Sequence, residues 1–424
     1  MLLAYACGGD DDASPTPAGS SSPSLTPPPG NSALGVTNTE IHVGMTSDVA
    51  GVGETPYGAV SLAVQAYIAR VNQEDGGVCG RQVILTVEDD EYSPELALAR
   101  TMELVSEQRV LAVIGALSTQ AHMAVAAYLN DPNGDGVTTD GIPDLFVSTG
   151  WSGWGDVASY PWTTAFIPDY RSDALVLAEY IKGELPGQTV ALLYREDEFG
   201  QDYRAALEGA FPGEGAFFAQ PYPADDANVS EEMGAVVGSG AGVVVLAATP
   251  EISADAITSA RGPAFNPQFL LSYVNQPSNL ASELGGGTAA EDIIAGFQQL
   301  DGVLTTSYLL SAVEDENNTA VVEHLRIMET YGGPPASSLS IFGQSLAETL
   351  VETLDRACPD LTRANVLAAA ESLDGFRPTL LLPGVDLVLS GTDHQGIQAL
   401  QVMRINADGT LEAQGDAIDV GPER

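Results

Sequence analysis

Short apolar runs alternate with helix-period segments along most of this chain, at a spacing of about thirty residues per strand-to-strand crossover. That alternation restricts it to parallel sheets with helices wound on both faces. A strand is predicted over residues 41–45. An amphipathic helix follows over 57–72, with Val60, Val64, Tyr67, Ile68 and Val71 at helical spacing, and the Asp75-Gly76-Gly77 turn ends it. Residues 82–88 alternate as a second strand with Asp89 and Asp90 at its carboxyl end, and 94–107 read as a second helix. The apolar run 110–115 then stops at small hydroxylated residues. Ser118 stands as N-cap of a helix over 119–130. Ligands of such sheets sit at the carboxyl ends of strands, and the free amides and positive dipole end of a helix suit a carboxylate or similar anion. The same placement also suits a plain cap, and the pattern leaves both readings standing.

The chain has 424 residues, 44% of them hydrophobic, enough for two to three lobes around a large core. Its net charge of −43 repels nucleic acid and anionic bilayers, which excludes polyanion binding. No run of about 18 apolar residues occurs, so no membrane-spanning helix is expected. Residues 1–7 read Met-Leu-Leu-Ala-Tyr-Ala-Cys, which resembles the tail of a bacterial lipoprotein signal peptide and implies lipidation at Cys7. A Ser, Pro, Thr and Gly tether follows, so residues 1–37 are expected to be an anchor remnant and linker.

Several local motifs together resemble one family. They are Ile41-His42-Val43-Gly44, Tyr57-Gly58 opening the first helix, Asn72 through Gly80-Arg81 closing it, and Glu88-Asp89-Asp90. Val113-Ile114-Gly115 with Ser118-Thr119, the stretch 143–148, the strand and loop 190–200, and Asp393-His394-Gln395-Gly396 complete the series. In order and spacing the chain resembles the type I periplasmic binding proteins of the leucine/isoleucine/valine-binding kind, the solute receptors of ABC importers. The resemblance implies two doubly wound α/β lobes in a Venus-flytrap arrangement, joined by three crossovers over a ligand cleft. Lobe I is then expected over 38–164 plus 305–380, and lobe II over 165–304 plus 381–424. The pattern accommodates this: a fourth strand at 144–148, a first crossover at 163–167, and lobe II helices at 172–182, 199–211 and 252–261 with strands at 190–194, 242–247 and 268–272. The return falls near 302–306, helices at 319–331 and 344–357 rejoin lobe I, and a hairpin-like end at 385–411 finishes in lobe II.

Carried over by position, the family's ligand-binding residues fall on Tyr57, Ser118, Thr119, Ser148, Thr149, Trp151, Ser152, Phe199, Thr249, Tyr273 and Asn275. The resemblance implies that Ser118 and Thr119 hold a carboxylate and that Phe199 packs on the ligand. Tyr273-Val274-Asn275 offers no carboxylate for an ammonium group, leaving Asp197 or Asp202 to substitute or to serve as helix-start charges. Trp151 and Trp154 either line a pocket or pack the lobe.

Between 130 and 144 lies an unexpected run, Asp131-Pro132-Asn133-Gly134-Asp135-Gly136-Val137 and then Asp140. Oxygen side chains at alternate positions with glycine after the third are what a calcium loop needs. A structural Ca2+ held by Asp131, Asn133, Asp135, the Val137 carbonyl and Asp140 is one reading, and an Asn/Asp/Gly turn the other. With Cys7 lipidated in an exported protein, Cys79 and Cys358 are expected to form a disulfide. No catalytic constellation is present. Gly150-Trp151-Ser152-Gly153-Trp154 lacks the second glycine of a nucleophile elbow, Gly238-Ser239-Gly240-Ala241-Gly242 precedes a strand instead of following one, and the four histidines lack metal spacing. The expected function is a non-enzymatic, membrane-tethered extracytoplasmic receptor for a small amino-acid-like or carboxylate solute, serving an ABC permease and needing no cofactor. A flytrap reporting the ligand to a signalling partner is the second reading.

Overall fold

A computed structural model of the chain describes residues 34–49, 57–224, 228–260, 262 and 265–421. Cys7 and most of the tether lie outside the described residues.

The first lobe opens with β1 (Glu40–Ser47), α1 (Gly58–Arg70), β2 (Gln82–Asp89), α2 (Pro94–Ser106), β3 (Ala112–Ile114), α3 (Thr119–Asn130), β4 (Asp144–Val147) and β5 (Thr163–Ala165). Its five strands are parallel in the order β2-β1-β3-β4-β5. Local sequence explains the helix starts: Ser93 accepts the Leu96 amide at 3.4 Å with Pro94 in the first turn of α2, where a missing N–H costs nothing.

The chain then builds a second lobe from α4 (Tyr170–Glu184), β6 (Val190–Arg195), α5 (Glu198–Ala210), β7 (Phe217–Tyr222), α6 (Ser230–Gly238), β8 (Val243–Ala247), α7 (Pro250–Ala260), β9 (Gln268–Leu271), α8 (Pro277–Gly285), α9 (Ala290–Leu300) and β10 (Leu304–Ser307). It returns through α10 (Thr319–Tyr331), α11 (Ser338–Arg356) and α12 (Arg363–Ala370). Of these, α10 and α11 pack on α1. It ends in the second lobe with β11 (Ala399–Ile405), β12 (Leu411–Ala413) and β13 (Ile418–Asp419). The second sheet has the order β12-β11-β10-β9-β8-β6-β7, with β13 beside β11. Strands β6 to β10 run parallel, and β11 joins antiparallel to β10. Every residue of β8, Val-Val-Val-Leu-Ala, is buried, as a central parallel strand covered on both faces requires.

The structure adds elements to the sequence reading and shifts others. β7 carries Pro221 and stands at the sheet edge, the position that tolerates a missing amide donor. α6, α8, α9 and α12 are further additions. α11 begins at Ser338, not near 344, under a capping box in which Ser337 and Ser340 bond each other's backbone amides. At the end of the chain, 385–398 is irregular and the strand starts only at Ala399.

Three connections run side by side between the lobes. The Ala165 amide donates to His394 O at 2.9 Å, Leu310 to Leu380 O at 2.9 Å and Leu382 to Tyr308 O at 2.9 Å. A single apolar cluster, including Ile41, Phe166, Leu177, Val245 and Leu346, continues beneath them from lobe to lobe.

Candidate functional site

Each sheet has one strand from which the chain departs to opposite sides. In the first lobe β1 lies between β2 and β3, and in the second β6 lies between β7 and β8. Such a switch leaves a crevice at the carboxyl ends of those strands, with no crossover helix to fill it. The residues there are Asp48, Asp90, Tyr92, Ser118 and Thr119 from the first lobe, and Arg195, Glu198, Phe199 and Thr249 from the second.

Ser118 caps α3 by accepting the Ala121 amide at 3.4 Å, and it does so at φ 72°, a conformation that costs a side chain of its type roughly 1 kcal/mol or more. Tyr92, also at positive φ (56°), is fixed by its amide on Asp90 Oδ1 at 3.0 Å. Its hydroxyl shares hydrogen bonds with the Ser118 and Tyr57 hydroxyls. Tyr57 and Tyr92 stack at 5.5 Å. Burial raises both phenols, so they stay neutral donors. Thr119 and Thr149 share a short hydroxyl contact, and both bond the Tyr170 hydroxyl beneath them. Phe199 meets the Tyr170 ring edge-on at 4.6 Å. Gly150 lies against that floor, where a Cβ would strike the Tyr170 ring and the Tyr273 hydroxyl.

On the facing lobe, Asp197 caps α5 through the Gly200 amide at 3.2 Å. Arg195 closes β6 with 32% of its side chain exposed, and its charge acts on Tyr92 across the crevice and on Tyr222 beside it. Further polar contacts join the lobes directly. Gln120 Nε2 donates to Glu198 Oε2 at 2.9 Å, and Asp202 accepts from Ser152 N at 2.8 Å and Ser152 Oγ at 2.7 Å. Burial pushes the Asp202 carboxyl up to about 6, against the bonds from Ser152 that lower it.

Several residues expected to touch ligand are placed in packing roles. The Ser148 hydroxyl is buried and donates to Phe146 O at 3.4 Å. Trp151 turns edge-on to Trp154 at 4.8 Å and to Tyr160, because the apolar face over Val147 and Ala165 takes it up. The Tyr273 hydroxyl is spent on Pro168 O at 2.6 Å, and Asn275 is fully buried with Nδ2 on Ala248 O at 3.0 Å. Thr249 precedes α7 at the end of β8, where its backbone carbonyl accepts the Ser253 amide at 2.9 Å. Sequence reasoning missed Tyr92, Arg195 and the Gln120–Glu198 pair. The available signal was an aromatic and a cation standing at strand ends.

The loop around Asp131, Asn133, Asp135, Val137 and Asp140 folds on its own amides. Asp131 accepts from Asp135 N at 3.2 Å and Gly136 N at 2.9 Å, Asp135 from Val137 N at 2.8 Å, and Asp140 from Asn133 Nδ2 at 2.9 Å. Among the described residues no group of three or more His, Cys, Asp or Glu side chains is gathered to hold a metal ion. Cys79 and Cys358 are joined by a disulfide with Cα atoms 6.2 Å apart. A cavity of about 330 Å3 lies away from the crevice, beside Tyr67, Arg70, Glu323, Gln344, Glu348 and Thr379. The Glu348 oxygens there are taken by Gln344 Nε2 at 2.9 Å and by Thr379 N and Oγ1 at 2.7 Å, which makes it a packing network.

The sequence profile of the family described as Periplasmic binding protein matches residues 40–410. The chain belongs to that family. This binding protein has no match among curated proteins by sequence. In structure it is similar to a fatty acid ABC transporter substrate-binding protein from Thermomonospora curvata, at 21% identity and TM-score 0.73, over 92% of this chain and 94% of that one. It is also similar to a branched chain amino acid ABC transporter protein from Thermus thermophilus with bound valine, at 19% identity and TM-score 0.71, over 91% and 97%. A leucine binding protein from Thermotoga maritima aligns at 15% identity and TM-score 0.66, over 90% and 99%. These likenesses establish the two-lobed type I fold. The family consists of extracytoplasmic solute-binding proteins, and among the described residues no helix of this member is long and apolar enough to cross a membrane.

Proposed function

We propose that this chain is the solute receptor of an ABC importer, taking a small carboxylate-bearing or amino-acid-like solute between its lobes and delivering it to a permease. The carrying observation is the donor set at the β1/β3 switch point: the opening amides of α3 at Thr119 and Gln120, beside the neutral hydroxyl cluster of Ser118, Tyr92 and Tyr57, with Arg195 at the end of β6 on the other lobe. Valine and a fatty acid, named for two of the similar structures, share a carboxylate and little else. We take residues 38–164 with 305–380, and 165–304 with 381–424, as the halves that close on the solute, and Cys7 as the membrane anchor of the receptor. The absence of any catalytic constellation in the sequence supports binding without chemistry.

The test is a thermal-shift screen of amino acids, short carboxylates and dicarboxylates on the full chain. A ligand at one hundred times its Kd stabilises the folded state by about 2.7 kcal/mol, a shift of several degrees for a domain-sized unit. A screen in which no carboxylate raises Tm would remove the proposal.

A further inference from the structure

An ammonium group moved from water into a closing cleft needs a carboxylate, or several acceptors, to offset its lost hydration. Next to this cleft the carboxylates of the second lobe are already held. Asp197 is the cap of α5 and lies 3.0 Å from Arg195 Nε. Glu198 is bonded to Gln120 and Asp202 to both donors of Ser152. Asp169 takes the amide and hydroxyl of Ser172 at 2.8 and 2.6 Å. Asp173 is enclosed by the Tyr203 hydroxyl, the Tyr273 amide at 3.2 Å and Thr306 Oγ1 at 2.5 Å. On the first lobe Asp90 holds the Tyr92 amide and the Thr46 hydroxyl, and Asp89 holds the amides of Val49 and Glu91 at 3.1 and 3.2 Å. Asp48 is buried beside Asp90.

The cation stands differently. Arg195 Nε lies near Asp197 Oδ2 without the alignment of a hydrogen bond, and the guanidinium is part-exposed where its charge reaches Tyr92. A planar guanidinium offers five donors, of which a carboxylate takes two at once. Across the crevice the first lobe presents donors as well: the opening amides of α3 and the hydroxyl cluster of Ser118, Tyr92 and Tyr57.

Resting on the reading of the cleft as the solute site, we propose that it takes a carboxylate anion that carries no ammonium group, with Arg195 as the residue that sets this specificity. A zwitterionic α-amino acid brings a cation that has to compete with the donors already on these carboxylates. A mono- or dicarboxylate brings only acceptors, and both walls donate.

The experiment is titration calorimetry on the full chain with solutes matched in skeleton: leucine, 4-methyl-2-oxopentanoate and 4-methylpentanoate, then glutamate, 2-oxoglutarate and glutarate. The expected result is that the deaminated members of a set bind about tenfold or more tighter than the amino acid. Arg195→Gln should weaken them about tenfold or more at unchanged unliganded Tm, and Arg195→Lys should recover part of the loss. If leucine or glutamate binds tighter than its counterparts, the specificity inference is overturned while the receptor reading stands, and the buried Asp48 becomes the ammonium partner to replace next. If the deaminated solutes bind and Arg195→Gln leaves them unchanged, the role of Arg195 is overturned. Silence across both sets overturns the carboxylate reading of the cleft and this inference together.

Discussion

Ser118 combines two duties that a pair of substitutions separates. Ser118→Ala removes the cap bond to Ala121 and keeps the unfavourable φ, so it should cost about 1 kcal/mol of stability as well as about 1 to 3 kcal/mol of ligand binding. Ser118→Gly also loses the hydroxyl but relieves the positive φ, so Tm should hold while affinity falls by the same amount. Calorimetry and melting curves on both variants check this; full affinity in both would return Ser118 to a plain cap. Asp173 carries a pH prediction. Burial raises it from 3.8 to about 6, so the folded chain holds this proton more tightly than the unfolded one. Its contribution is complete below pH 3.8 and is lost as pH rises through about 6, a fall of roughly 3 kcal/mol. Asp173→Asn should reduce the decline of Tm between about pH 4 and pH 7, leaving a slope of the same sign and similar size from Asp202. An unchanged slope in Asp173→Asn would mean that the proton is bound elsewhere. Neither Tyr92 nor Arg195 announced itself in sequence, because a single aromatic or cation after a strand has no pattern until its neighbours are known.

Most elements with one apolar stripe were legible, α8 and α9 excepted, and elements whose buried face is polar or interrupted were not. α11 buries Ser340, Gln344, Ser345, Glu348, Thr349 and Thr353, which bond to His324, to Thr379 and to carbonyls one turn back, so its first turns do not read as amphipathic. β7 is half-buried and carries proline. The disulfide ties the turn after α1 to the end of α11 across a sequence separation of 279. Its reduction should lower Tm, with roughly 5 kcal/mol as the ceiling from chain entropy, and Cys79→Ser with Cys358→Ser should melt like the reduced protein. Equal melting with and without reductant would leave the link without a stabilising role. Calcium at the loop 131–140 is a proposal from its oxygen spacing: Asp131 and Asp135 must exchange amide partners for the ion. Added calcium should raise Tm in the wild type and not in Asp135→Ala, and curves that coincide in calcium and chelator leave the loop a turn.

At the scale of the molecule, the contacts Gln120–Glu198 and Ser152–Asp202 join the lobes alongside the Thr119 and Thr149 bonds to Tyr170. Charged hydrogen bonds of this kind contribute about 1.5 to 3 kcal/mol each, enough to move a two-state equilibrium by tenfold or more. Asp202→Ala should therefore enlarge the radius of gyration of the ligand-free protein in small-angle scattering and weaken solute binding, whereas an unchanged radius would assign closure to the hinge alone. The alternation of strands and helices through the first lobe, the cap at Ser118 and the α/β class were determined by the sequence alone, because hydrophobic period and capping act within one or two turns of chain. Only the tertiary structure decided that the Tyr273 hydroxyl is spent on Pro168 O, that Asp202 latches Ser152, and that Gln120 meets Glu198. Those outcomes depend on which residue a distant segment brings within hydrogen-bonding distance, and no local pattern encodes a neighbour 50 to 105 positions away.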